Sequence, residues 1–188
     1  SKPELYATLA MLNDVKGIIV CNGYKDQGFI ELALMGLKLG KRVFIVVEKP
    51  NELDLILNIA RRLGVNPLIG LRCQLAATSN INLAGVLHGE HMSKFGLSAS
   101  ELLASIKKLS GAGMLASLKL LHFHIGSQVP EVRRIKEAMQ EAAHYYAEAR
   151  RLGAPIEFMD VGGGLGVNYD GSISNSLSSV DYSLQEYA

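Results

Sequence analysis

Tryptophan is absent from this 188-residue chain, and cysteine occurs only twice, at Cys21 and Cys73. Two thiols, each inside an apolar stretch, exclude a disulfide framework. Buried free thiols and a reducing, cytoplasmic setting are the expectation. Charge of one sign is also lacking: 19 basic and 18 acidic side chains nearly cancel, and no Lys/Arg run exceeds two residues. That argues against a nucleic-acid partner or an anionic membrane surface. Nor does any segment approach the ~20 uninterrupted apolar residues of a bilayer span. The start, Ser1-Lys2-Pro3-Glu4, has no apolar signal core. With 48% apolar and 20% charged residues, the composition is that of one globular domain or part of a larger one.

Short apolar, β-branched runs predict strands at Gly17–Asn22, Arg42–Glu48, Pro67–Leu75, Leu118–Gly126 and Ile156–Gly164. Between them, apolar residues recur at helical spacing: Phe29 to Leu37, Leu55 to Leu63, and Val132, Ile135, Met139, Ala142 and Tyr146. Capping-box spacing at Asn51-x-x-Asp54 and Ser98-x-x-Glu101 marks helix starts, and Gly40, Gly64 and Gly153 mark stops. Alternating buried strands and helices imply right-handed crossovers and a parallel sheet covered on both faces. Five strands suit either a small doubly wound domain or a stretch cut from an eight-stranded barrel, and local pattern does not separate the two. Thr78–Asn82 and the Ser-rich Gly171–Ser179 read as loops.

The densest signal is Phe158-Met-Asp-Val-Gly-Gly-Gly-Leu-Gly-Val-Asn168, an apolar strand running into three glycines. Amides freed of Cβ bulk can close around a phosphate, and a tight strand-to-loop turn is the equal alternative. It is neither a dinucleotide fingerprint nor a Walker loop, because Val167 stands at the sixth position of G-x-G-x-x-G and the Walker lysine is missing. In Leu121-His-Phe-His-Ile-Gly-Ser127, His122 and His124 share a strand face. No Cys, Asp or Glu follows at ligand spacing, so no metal site is expected. His122 reads as a core histidine, and His124, nearer the strand's end, as the one placed for a ligand. Arg72 interrupts an apolar strand and needs an anionic partner, as a structural ion pair or a cofactor contact. Lys25 and Lys94 read as solvated loop charges. No G-x-S-x-G elbow supports a hydrolase.

Taken together, Cys21–Asp26 (CNGYKD), Ser93–Leu97 (SKFGL), Leu120–Gln128 (LLHFHIGSQ), Phe158–Gly171 (FMDVGGGLGVNYDG) and the closing SVDYSLQEYA resemble, in order and spacing, the biosynthetic arginine decarboxylases, which depend on pyridoxal phosphate. The likeness runs from Ser1 to Ala188. It implies an α/β fold, a parallel (β/α) barrel of the alanine-racemase-like type, here a single incomplete barrel domain of about five strands corresponding to strands three to seven. The first and last strands and a following β-rich domain would lie outside the chain. It further implies cofactor contacts from His124 (ring stacking), Ser127, Gly162, Gly163 and Gly164 (phosphate) and Arg72. Asp160, Val161, Leu165, Gly166 and Asn168 would form the adjoining substrate or cofactor loop.

The parent reaction so implied is decarboxylation of L-arginine to agmatine, which feeds polyamine and spermidine biosynthesis, and family behaviour adds a magnesium requirement and a homo-oligomer or complementary chain. The family's Schiff-base lysine stands in a Tyr-x-x-Lys-x-Asn motif upstream of Ser1, and no lysine here has that context. No catalytic residue is therefore assigned, and the chain alone is expected to be inactive. Departures from the family pattern fall at Asn80–His88, at Gln74, where a second arginine is common, and at Asn168 and Asp181, where aspartate and asparagine are usual. A catalytically silent domain that binds a partner or a phosphorylated ligand through Gly162–Gly164 is the alternative reading.

Overall fold

The structure, a computed structural model, describes residues 1–14, 16–76, 95–168 and 179–188. Five parallel strands, β1 (Ile18–Cys21), β2 (Arg42–Val47), β3 (Leu68–Arg72), β4 (Leu118–His122) and β5 (Phe158–Asp160), lie in the order of the chain. The helices are α1 (Lys2–Met11), α2 (Gln27–Lys38), α3 (Pro50–Leu63), α4 (Ala99–Gly111), α5 (Val132–Arg151) and α6 (Leu184–Tyr187).

That strand order decides between the two architectures left open by the pattern. When every right-handed crossover steps to the next position in the same direction, every helix falls on the same face. A doubly wound sheet needs a reversal, and none occurs among the five strands. Successive helices accordingly touch their neighbours, α1 to α2 and so on to α6. The sheet curls into part of a barrel. Phe44 of β2 and Phe158 of β5, on strands that are not neighbours, meet edge to face with ring centroids 5.3 Å apart. Asn22, just past β1, reaches Asp160 at the end of β5.

The expectation of a sheet covered on both faces is thereby corrected. The convex face carries the large core, including Ile45, Val47, Ile56, Ile69, Leu71 and Leu121 with the helices. The concave face holds only Phe44, Val46 and Leu120, with Val20, Leu68 and Phe158 partly open. Gly70 makes room in that layer, since a Cβ there would lie 2.8 Å from Leu120 Cδ2 and 3.0 Å from Val46 Cγ2 and those side chains would have to shift.

Element boundaries shift in instructive ways. The apolar runs are longer than the strands because their ends bend into the loops that form the site. Ser98 and Glu101 make the expected capping box, but α3 starts at Pro50 with Lys49 as N-cap and Glu52 as the returning carboxylate, not at Asn51. Helix α1 was not expected from apolar spacing, yet Ser1, Pro3 and Glu4 supply its capping box and N-terminal proline. On α5 the buried stripe is Ile135, Ala138, Ala142 and Ala149, leaving Met139 and Tyr146 partly exposed. Asn80–His88, Thr78–Asn82, Lys94 and most of Gly171–Ser179 lie outside the described residues.

Candidate functional site

The concave face ends, at the carboxyl ends of its strands, in charge. Registers place Arg72 beside His122 and His122 beside Asp160, and Glu48 follows β2. Arg72 Nη1 lies 2.9 Å from Glu48 Oε2, and its guanidinium carbon sits 5.4 Å from the centre of the Phe95 ring. A buried structural ion pair, one of the two readings left open for Arg72, is therefore present. Glu48 also accepts from the Gly23 amide at 2.5 Å. The motif Cys21–Asp26 departs from expectation: Lys25 is not a solvated charge but has a fully covered side chain, donating to the Gly23 carbonyl and standing 3.5 Å from Glu52 Oε2. Burial and then the two glutamates oppose each other there, and burial prevails, lowering the Lys25 pKa.

His122 is buried, with Nδ1 3.0 Å from Asp160 Oδ2, although off the line of a good N–H···O bond. The same carboxylate accepts from the Gly162 amide at 2.9 Å. Contact with His122, followed by the Gly162 amide and Asn22, holds Asp160 below the usual carboxylate range against the effect of burial.

The three glycines differ physically. Gly162 (φ +69°) and Gly164 (φ +93°) have left-handed backbones, and a Cβ on them would lie 2.4 Å from Phe123 O and 1.7 Å from Gly126 O. These two are glycine because the turn and the close approach of two loops demand it. Gly163 has no positive φ, and a Cβ there would meet nothing within 4 Å. It is therefore the glycine of the three that opens on free space. Its amide points at His124 Nδ1, 3.4 Å away, while the Gly164 amide has no acceptor among the described residues. Ser127 is exposed, and its Cα is 3.4 Å from the Cβ position of Gly164.

The neutral form of His124 is favoured. Burial first, then the Arg72 charge and His122, lower its pKa below 6.5, with Asp160 opposing. With Nδ1 facing an N–H donor, the ring proton belongs on Nε2.

Thus His124, Ser127, Gly162, Gly163, Gly164 and Arg72 gather at one end of the concave face. The adjoining loop residues do different work. Val161 and Leu165 pack with the helix-side core and help line an apolar cavity of about 220 Å³ with Phe123, Ile125, Ile135 and Met139, which Gly163 touches at its edge. The Gly166 amide goes to the Tyr182 hydroxyl, and Asn168 Oδ1 accepts from the Val180 amide. Glu48, Glu52 and the pairing of His122 with Asp160 escaped sequence reasoning. For Glu48, His122 and Asp160 the signal was a polar residue at the end of an apolar run, on the residue parity of the concave face, whereas Glu52 lies on α3.

Comparison with known proteins fits this geometry. Residues 1–188 match the family described as pyridoxal-dependent decarboxylase, pyridoxal binding domain. The biosynthetic arginine decarboxylase of Bacteroides thetaiotaomicron is 52% identical over 188 residues, covering 100% of this chain and 30% of the relative. Among solved structures, the biosynthetic arginine decarboxylase of Campylobacter jejuni superposes with a TM-score of 0.84 and 33% identity, over 100% of this chain and 29% of that one. Diaminopimelate decarboxylase from Helicobacter pylori, complexed with L-lysine, gives 0.66 and 31%, over 86% and 39%. The chain spans about 30% of the length of the curated relative.

Proposed function

Because the chain belongs to the pyridoxal-dependent decarboxylase family, as part of its pyridoxal binding domain, we propose that it forms the phosphate-holding portion of an arginine decarboxylase that acts on L-arginine to give agmatine and carbon dioxide. The observation that carries this is the open space at Gly163, flanked by two glycines locked in place and by an exposed serine and the half-buried His124 ring. The residues fit pyridoxal phosphate: the Gly163 and Gly164 amides and the Ser127 hydroxyl supply donors for a phosphate, and a neutral His124 ring offers an uncharged face to a pyridine ring. When bound, the cofactor supplies an electron sink for the carbon that loses the carboxylate.

The chain's own share is orientation and charge. Glu48 fixes Arg72 at the rim, so the guanidinium direction is set before any ligand arrives. Asp160 ties the glycine turn to His122 and Asn22, coupling the turn to the strand ends. We assign no catalytic lysine in this chain; Lys25 is sealed against Glu52. The half-open concave face, with Val20, Leu68 and Phe158 partly exposed, fits covering by further barrel strands or a second chain. Two free buried thiols fit a cytoplasmic setting. Among the described residues no helix is long and apolar enough to cross a membrane. Among them, too, no three His, Cys, Asp or Glu side chains converge on a metal, so the structure adds nothing in favour of magnesium.

The test is titration of inorganic phosphate and of pyridoxal phosphate into isotopically labelled protein, following backbone amides. Gly163, Gly164 and Ser127 should shift, with affinity nearer ~1 mM than ~1 μM because a few neutral donors act without a covalent link. Gly163→Val should remove the response. Unmoved amides at millimolar ligand would reduce the motif to a turn.

A further inference from the structure

We propose that Gln128 and Tyr182 are positioning residues for the phosphate site, holding the loop that carries Ser127 in register with the loop that carries Gly163. The inference rests on the phosphate reading above and adds to it the device that sets the geometry. Regular pairing of β4 with β5 stops at His122 and Asp160. It resumes as a single parallel bridge, Val129 to Leu165. Between those points the loop after β4 is longer than the loop after β5, so the sheet itself does not dictate which residue of one faces which residue of the other. The bridge itself has two backbone hydrogen bonds, Val129 N to Gly164 O at 2.9 Å and Gly166 N to Val129 O at 3.2 Å, and a single bridge needs side chains to hold it in place.

Two side chains do this. The Gln128 amide both donates to the Val167 carbonyl and accepts from the Val167 amide, each at 3.0 Å, so one side chain satisfies both backbone groups of a residue on the opposite loop. The Tyr182 hydroxyl accepts from the Gly166 amide at 2.9 Å and donates to the Val129 carbonyl at 2.8 Å. It bridges the two loops with one oxygen. Tyr182 is itself seated by its neighbour, because Asp181 donates its amide to the Pro130 carbonyl and accepts, through Oδ1, from Val132 at the start of α5. Inside these two clamps the Val129 amide reaches the Gly164 carbonyl at 2.9 Å, which fixes Gly164 against Gly126 and Ser127.

Backbone conformation at Gln128 carries the argument further. Its φ of 54° is the one positive value at a non-glycine residue among those described. A glycine would adopt it without cost, so local conformation alone favours glycine. What glutamine supplies and glycine cannot is the donor–acceptor pair on Val167. Retaining a strained backbone for the sake of that pair points to register, not local stability.

The test uses the 188-residue chain with Tyr182→Phe and Gln128→Gly, each compared with the parent in three readouts. These are the amide positions of Ser127, Gly163 and Gly164 without ligand, the phosphate affinity of the folded protein, and the melting temperature. Both variants should move the Gly163 and Gly164 amides, which unlike Ser127 are not chain neighbours of a substituted residue, and weaken phosphate by roughly fivefold or more, the equivalent of about one hydrogen bond. Gln128→Gly should do so while melting close to the parent, because relief of the backbone offsets the lost clamp. If both variants keep the parent's amide positions and phosphate response, and only melting changes, the proposal is overturned. Should the parent itself ignore phosphate, the cradle reading fails, yet the ligand-free amide positions still decide whether the clamps set the register. Should Tyr182→Phe fail to fold, Gln128→Gly decides alone.

Discussion

Replacing each glycine of the Gly162–Gly164 turn by alanine should give three different proteins. At Gly164 the new methyl carbon would sit 1.7 Å from Gly126 O and 2.8 Å from Gly126 C, both backbone atoms, in a residue with φ +93°. The left-handed backbone costs an alanine about 1–2 kcal/mol. Relieving the overlap also means parting loops joined by the Val129–Gly164 and Gly166–Val129 hydrogen bonds, at about 1 kcal/mol each. The sum, about 3–4 kcal/mol, corresponds to a fall in melting temperature of roughly 6–16 °C for a chain of this size. Gly162→Ala, with Phe123 O at 2.4 Å and φ +69°, should also be destabilised. Gly163→Ala meets nothing within 4 Å and has no positive φ. Its melting temperature should match the parent's or rise slightly, since alanine restricts the unfolded chain by about 0.4–1 kcal/mol. Thermal circular dichroism on the three variants is sufficient. The reasoning is refuted if Gly163→Ala loses as much as Gly164→Ala, or if Gly164→Ala melts within a degree or two of the parent.

Removing Glu48 by Glu48→Ala leaves Arg72 largely buried without its 2.9 Å partner. A loss of about 3 kcal/mol in a denaturant titration is expected, and an unchanged midpoint would show that Phe95 and water suffice for the guanidinium. His124 should titrate below 6.5 by NMR, its pKa lowered first by burial and then by Arg72, and Arg72→Leu should bring the midpoint up. Since the folded pKa is the lower one, the contribution of His124 to stability is full above pH 6.5 and is lost as pH falls through 6.5 towards the folded value; a midpoint above 6.5 would contradict the placement. Burial pushes the thiols of Cys21 and Cys73 up to about 11 and about 12, so neither should react with a thiol reagent at pH 8 until denaturant is added, and rapid native labelling of either would refute the packing around it.

Much of this protein was legible in its sequence because the signals were local. Five apolar runs, alternating with helical spacing, gave strands and helices, and the Phe158–Asn168 and Leu121–Ser127 segments fell at strand ends, where parallel α/β folds place ligands. The resemblance carried by those segments supplied the barrel before any topology was known. What residue pattern alone could not choose was the direction of each crossover, since a doubly wound sheet and a barrel share the same alternation. Only the strand order β1 to β5 and the meeting of Phe44 with Phe158 decided it. The same holds at the site. Three consecutive glycines look alike in sequence, and only the approach of Gly126 and Phe123 makes two of them obligatory and leaves Gly163 open. Lys25 reads as a loop charge until Glu52 closes over it, and Glu48 reads as a strand's polar end until Arg72 arrives from the next strand. A charge's cost depends on what stands beside it in space, and for these residues the neighbours lie at least 24 positions away along the chain.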